Sequence, residues 1–164
     1  MKIYLAADHA GFELKEKIKK FLGDLNCEVK DFGAYKYESE DDYPDFVIPA
    51  MKALNEDLSA KGGPASSGKN SLIESRGIIL GGSGQGEAMI ANRFKDIRAV
   101  VCDDGDSLEN KVKVWREHNN SNVLSFGGRF IDEKSALDAV KIWLETPFTG
   151  ESRHTRRLNK FLNL

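Results

Sequence analysis

The chain has 164 residues, 40% hydrophobic and 30% charged, and its 24 basic and 26 acidic side chains give a formal net charge of −2. A single domain over the whole chain is expected. That size buries about 70% of the unfolded chain's surface without a disulfide cage or structural metal, and it is too short for a (β/α)8 barrel of about 250 residues. Near-neutral charge excludes a protein whose main partner is a nucleic-acid backbone or an acidic membrane, so any anion site must be local.

Lys2 to Ala7 is a short apolar run followed by polar Asp8 and His9 and the turn residue Gly11, which predicts a buried strand ending in a loop. Leu14, Ile18, Phe21, Leu22 and Leu25 then recur at helical spacing, with Lys and Glu opposite. Cys27 to Phe32 predicts a second strand, closed by Gly33. The acidic stretch Glu38 to Asp42 leads into Tyr43-Pro44, where Pro44 suits a first helical turn because the N–H groups there are unpaired anyway. Pro49, inside the run to Leu54, predicts a late start or a kink.

Ser59 to Asn70, rich in Gly, Ser and Lys and without periodicity, predicts an extended exposed loop. Gly77 to Leu80, Ala99 to Cys102 and Val123 to Phe126 are three more short apolar strands, each followed by turn chemistry and a helical segment. A last helix is expected at about 152–163. Apolar strands alternating with amphipathic helices predict about five parallel strands covered on both faces, with the ligand beyond their carboxyl ends. Cys27 and Cys102 lie far apart without a CxxC partner and read as small buried hydrophobes. No 18-residue apolar run and no apolar leader occur, so a cytoplasmic protein is expected.

The strongest chemical feature is Gly81-Gly82-Ser83-Gly84-Gln85-Gly86-Glu87, between a strand and a helix. Four glycines let the backbone approach a ligand, and their amides cradle an anion, whether a bound phosphate or a developing oxyanion. No Gly-Lys-Ser/Thr follows, which excludes a Walker A loop. Glu87 falls where a dinucleotide fingerprint needs Gly or Ala. Glu87 reads either as a charge favoured at a helix start or as a general base beside an oxyanion cradle. His9 follows Asp8 at the end of the first strand, and His118 precedes Asn119-Asn120 before the fifth. Neither histidine has metal-ligand spacing. His154 lies between Arg153 and Arg157, which share a helical face as a basic helix end or as forks for phosphate.

These landmarks together resemble the ribose-5-phosphate isomerase B family, which includes the isomerases of allose and galactose 6-phosphates. They are Asp8-His9-Ala10-Gly11-Phe12, Asp42-Tyr43-Pro44, the glycine loop with Ala91-Asn92-Arg93, Arg116-Glu117-His118-Asn119-Asn120, Gly127-Gly128-Arg129, and Arg153-His154 with Arg156-Arg157. The resemblance implies a three-layer α/β/α Rossmann-like sandwich. It also implies aldose–ketose isomerisation of a sugar phosphate in the pentose phosphate pathway, without metal or cofactor. Glu87 would shuttle a proton between C1 and C2 through a cis-enediolate, replacing a cysteine that many members carry at the position of Gly81. Ser83 would move a proton between the substrate oxygens, and amides from Gly82 through Gly84 and Gly86 to Glu87 would form the oxyanion hole. His118 with Asp8 would open the sugar ring.

His9, Arg129, Arg153 and Arg157 would hold the phosphate, and Asn119 and Tyr43 would position the sugar. The implied assembly is a homodimer or dimer of dimers with shared sites, in which His118, Asn119 and Arg129 cross the interface. Two alternatives stay open: an isomerase of a six-carbon sugar phosphate such as allose 6-phosphate, and a non-catalytic phosphosugar-binding or nucleotide-binding module. The loop from Ser59 to Asn70 departs from the family pattern.

Overall fold

The strands β1 (Lys2–Ala7), β2 (Glu28–Asp31), β3 (Ser75–Gly81), β4 (Ala99–Cys102) and β5 (Val123–Gly127) pair in parallel in the order β2-β1-β3-β5-β4. The computed structural model describes residues 1–60, 75–105 and 107–161. Burial follows position in the sheet. Interior β3 and β5 are buried throughout, while edge strand β2 alternates exposed and half-buried residues, as expected of strands covered on both faces and at the rim respectively.

Alternation along β1 sorts the layers. Ile3, Leu5 and Ala7 pack with Ile78, Leu80, Leu124 and Phe126 against α1 (Phe12–Asp24), α4 (Leu108–Glu117) and α5 (Glu133–Glu145), through Ile18, Val112 and Trp143 among others. Tyr4 and Ala6 face the other way with Ile79 and Val123, against Val47, Met51 and Leu54 of α2 (Tyr43–Ala60) and Ala91 of α3 (Gln85–Ala91). The result is the expected three-layer sandwich. The crossovers leaving β1 and β3 diverge, so their carboxyl ends flank the crevice where such sheets bind ligands. A sixth helix, α6 (Ser152–Phe161), docks at the amino-terminal end of the sheet, where the Thr149 N–H and Oγ1 both donate to Glu117 O.

Two local expectations need correction. Helix α2 runs unbroken through Pro49, because Ile48 and Pro49 lie on the exposed face while Val47, Ala50 and Met51 are buried. The hydrogen bond that Pro49 cannot donate therefore faces solvent. Leu25 lies past the end of α1 and is 39% exposed, because Asn26 takes a positive φ of 56° and turns the chain towards β2. The loop expected at Ser59 to Asn70 lies outside the described residues from position 61 onward. No helix among the described residues is long and apolar enough to cross a membrane.

Candidate active site

Pairing of β3 with β5 continues past both strands: Gly128 N–H donates to Gly81 O at 2.8 Å and Arg129 N–H to Gly82 O at 3.3 Å. This lateral ladder carries Arg129 over the glycine loop. A Cβ placed on Gly82 would sit 3.3 Å from the guanidinium carbon of Arg129. Arg129 therefore belongs to the same chain's loop, and the expectation that it crosses an interface is not met.

Gly84 turns the loop into α3 with φ +73°, and a side chain there would strike the Phe126 carbonyl carbon at 2.9 Å. Only glycine suits both conditions. Ser125 Oγ donates to Gly84 O at 2.6 Å from beneath and fixes the turn. The first turn of α3 then places Glu87, which is only 3% exposed. A Cβ built on Gly81 would fall on Oε1 of Glu87 and lie 3.2 Å from Oε2. The carboxyl group of Glu87 thus fills the volume that a side chain at 81 would occupy. Burial pushes its pKa above the usual carboxylate value, and the nearby Asp8 adds to the rise.

Asp8, 6% exposed, accepts from the amides of Ala10 at 2.9 Å and Gly11 at 3.1 Å, which holds the turn after β1. His9 stands beside it. The backbone N–H of His9 reaches Asp41 Oδ1 at 2.9 Å, and its ring Nδ1 meets the same oxygen at 2.7 Å. The hydrogen bond to Asp41 raises the His9 pKa above 6.5, helped by the charges of Asp8 and Asp41 and opposed by desolvation and Arg129. Asp8, His9 and Asp41 bring one ligand atom each within 4.8 Å of one another, so among the described residues they are the group that could hold a metal ion. Tyr43 lies over the loop: its phenol oxygen would be 2.6 Å from a Cβ on Gly86. Ser83 is exposed, and its Oγ accepts from Gln85 N–H at 3.3 Å.

One end of the sheet therefore gathers Asp8, His9, Tyr43, Gly82 to Glu87 and Arg129. His118, Asn119, Arg153 and Arg157 stand at the other. The segment after His118 joins the amino ends of the strands, through Asn122 N–H to Arg98 O at 3.2 Å and Gly77 N–H to Asn122 O at 2.8 Å. There the rings of His118 and His154 stack at 4.3 Å with 12° between their planes. His154 is 4% exposed, and burial lowers its pKa, with His118 and Arg153 next in effect. Arg153 and Arg157 are exposed. At about 3.3 Å per residue, the five residues of β5 separate the two groups by roughly 17 Å. Sequence reading missed Asp41, hidden in a run that reads as a solvated acidic stretch, and Ser125, hidden in a buried strand.

Comparison with known proteins gives a consistent result. The model of the Ribose/Galactose Isomerase family matches residues 3–161. Ribose-5-phosphate isomerase B of Mycobacterium tuberculosis is 38% identical over 159 residues, covering 97% of this chain and 86% of its own. The solved ribose 5-phosphate isomerase of Thermotoga maritima superposes with a TM-score of 0.81 at 37% identity, covering 99% of this chain and 98% of its own. That of Mycoplasma genitalium, with bound ribulose-5-phosphate, gives 0.83 at 28% identity over 99% and 94%.

Proposed function

The chain belongs to the ribose/galactose isomerase family, and on that premise we propose that it interconverts D-ribose 5-phosphate and D-ribulose 5-phosphate with Glu87 as the base. The observation that carries the role of Glu87 is its buried carboxyl group lying in the side-chain volume of Gly81, at the carboxyl end of the central strand. Among the described residues, the three atoms nearest that position all belong to Glu87.

Isomerisation moves one carbon-bound proton. In the open-chain aldose, the Glu87 carboxylate takes the proton from C2, and the released electron pair becomes the C1–C2 double bond as the carbonyl oxygen gains negative charge. Burial removes water from the carboxylate and raises its basicity, which favours this transfer. The resulting cis-enediolate needs donors preorganised around its oxygens, and the amides of Gly82 to Glu87 supply them. Glu87 returns its proton to C1, Ser83 moves the remaining proton between the two oxygens, and the ketose results. The scheme consumes no cofactor.

The sugar enters as a closed ring, so a proton must also pass between the ring oxygen and the C1 hydroxyl. Asp8 and His118 are assigned to that step, but in one chain they stand at opposite ends of the sheet. The same holds for the phosphate ligands, with His9 and Arg129 at one end and Arg153 and Arg157 at the other. A second copy of the chain, presenting His118, Asn119, Arg153 and Arg157 to the first copy's glycine loop, resolves both, and a homodimer or a dimer of dimers is the proposed assembly. Met89, two positions after Glu87, and Phe130, next to Arg129, are 69% and 61% exposed and give such a contact apolar surface beside the site. We place the enzyme in the cytoplasm, where sugar phosphates are handled.

The purified protein is expected to convert ribose 5-phosphate to ribulose 5-phosphate. Glu87→Gln should lower kcat by roughly 10²–10⁴, the usual worth of a positioned base, with little change in KM. Undiminished turnover by that variant would remove Glu87 from the mechanism. A higher kcat/KM on allose 6-phosphate than on ribose 5-phosphate would reassign the substrate to a six-carbon sugar.

A further inference from the structure

Asp41 stands at the substrate end and has no part in the scheme above. Its Oδ1 accepts twice from the same neighbour, from the His9 backbone N–H at 2.9 Å and from ring Nδ1 at 2.7 Å. Its Oδ2 is buried with no hydrogen-bond partner among the described residues, and the side chain as a whole is 9% exposed. A buried carboxylate with one idle oxygen is costly unless its other contact is charge-assisted. The imidazole of His9 is placed to supply that charge.

We propose that Asp41 is a positioning residue for phosphate recognition: by gripping both the backbone and Nδ1 of His9, it fixes the ring and its proton so that Nε2–H is held as a charged donor for the substrate phosphate. The inference rests on the reading of His9 as a phosphate ligand. Two contacts to one oxygen fix the ring's place relative to its own backbone, so the imidazole meets a ligand without first being ordered. With Nδ1–H committed to a carboxylate, the free nitrogen is Nε2, as in the carboxylate–histidine pairs that orient metal ligands.

The other groups facing His9 act in both directions. Asp8 favours the charged ring and Arg129 disfavours it, while the Tyr37 ring meets it edge-on at 6.0 Å. Without Asp41, burial and Arg129 would oppose Asp8 alone. Asp41 thus offsets the effect of Arg129 and favours the charged form of the ring beside it.

The test uses Asp41→Asn, which keeps the shape and an acceptor but removes the charge, together with Asp41→Ala and His9→Asn. Steady-state kinetics on ribose 5-phosphate and competitive inhibition by inorganic phosphate are followed against pH. The ring ¹⁵N signals of the three histidines are titrated in parallel, with His9 assigned by its loss in His9→Asn.

For Asp41→Asn the expected result is a KM for substrate and an inhibition constant for phosphate raised roughly tenfold, the size of one charge-assisted hydrogen bond. The kcat should be nearly unchanged, the fall of kcat/KM with rising pH should set in at lower pH, and the His9 titration should move with it. Asp41→Ala should show the same shifts, enlarged. If Asp41→Asn raises KM while the His9 titration stays in place, the contact is merely structural and the inference is overturned. It is also overturned if His9→Asn weakens phosphate binding but neither Asp41 variant does, an outcome that leaves His9 as a ligand. Unchanged KM and phosphate inhibition in His9→Asn would overturn the phosphate reading itself, and the inference with it.

Discussion

Gly81 and Glu87 compete for a single volume, and this makes the proposed base testable by exchange as well as by deletion. A methyl group at 81 cannot coexist with the carboxyl group of Glu87 where it stands, so Gly81→Ala should expel the carboxylate from the site. The expected loss in kcat is roughly 100-fold or more, comparable to losing a positioned base, with a circular dichroism spectrum like the parent's. The double variant Gly81→Cys with Glu87→Ala empties the volume and refills it with a thiol. Since the thiolate is the reactive form and a free cysteine titrates near about 8.5, the activity that returns should climb from pH 7 to pH 9, unlike the parent's. Full activity in Gly81→Ala would show that the carboxyl group works from some other position. Here the sequence is only partly legible. A run of four glycines announces close backbone approach, but nothing in it says that Gly81 is small to make room for a side chain further along.

Elements rather than residues decide what else could be read. Amphipathic spacing and apolar runs identify all five strands and the helices because burial on both faces of a parallel sheet imposes those patterns directly. The patterns carry no record of lateral order. That Arg129 comes to rest on Gly82 follows from β5 pairing beside β3, and β5 is inserted between β3 and β4 against chain order. Asp41 fails to stand out for a related reason: its partner His9 is 32 positions away, and only the crossover through β2 brings the two together.

Helix α6 shows the energetic side of such contacts. Ten residues are too few for a stable helix in water, so its docking through His154 against His118 matters. Burial holds the His154 pKa below 6.5. As pH falls through 6.5, the unfolded chain binds a proton that the folded site refuses, and stability drops. His9, with its pKa raised, has the opposite sign: its stabilisation is complete below 6.5 and lost as pH rises through the raised value. Thermal melts at pH 7.5 and pH 5 should therefore show a smaller acid loss in His154→Gln than in the parent, because the variant removes one term and leaves His9 in place. An equal acid loss in both proteins would mean that His154 accepts its proton in the folded state.

At the scale of the whole molecule, the arrangement of functional groups is an argument about number of copies. One chain holds the proposed base and anion cradle, a histidine and an arginine at the carboxyl end of its sheet, and a second basic set about 17 Å away at the amino end. No hinge within a five-stranded sheet can bring the two together, since that would break the paired core strands. Two copies related by a twofold axis can, and the symmetry then gives two equivalent sites, each using Glu87 from one chain and His118 from the other. This arrangement has a consequence that no single-chain site shares. Glu87→Gln and His118→Asn should each be severely impaired alone. Unfolded together in equal amounts and refolded, they should form mixed dimers in half the cases, with one site of each such pair carrying both native residues, so that about a quarter of parental activity returns. The same mixture assayed without subunit exchange should stay inactive. If refolding restores nothing while the mixed species is present by mass, then each chain works with its own His118 or without it, and the shared site is wrong.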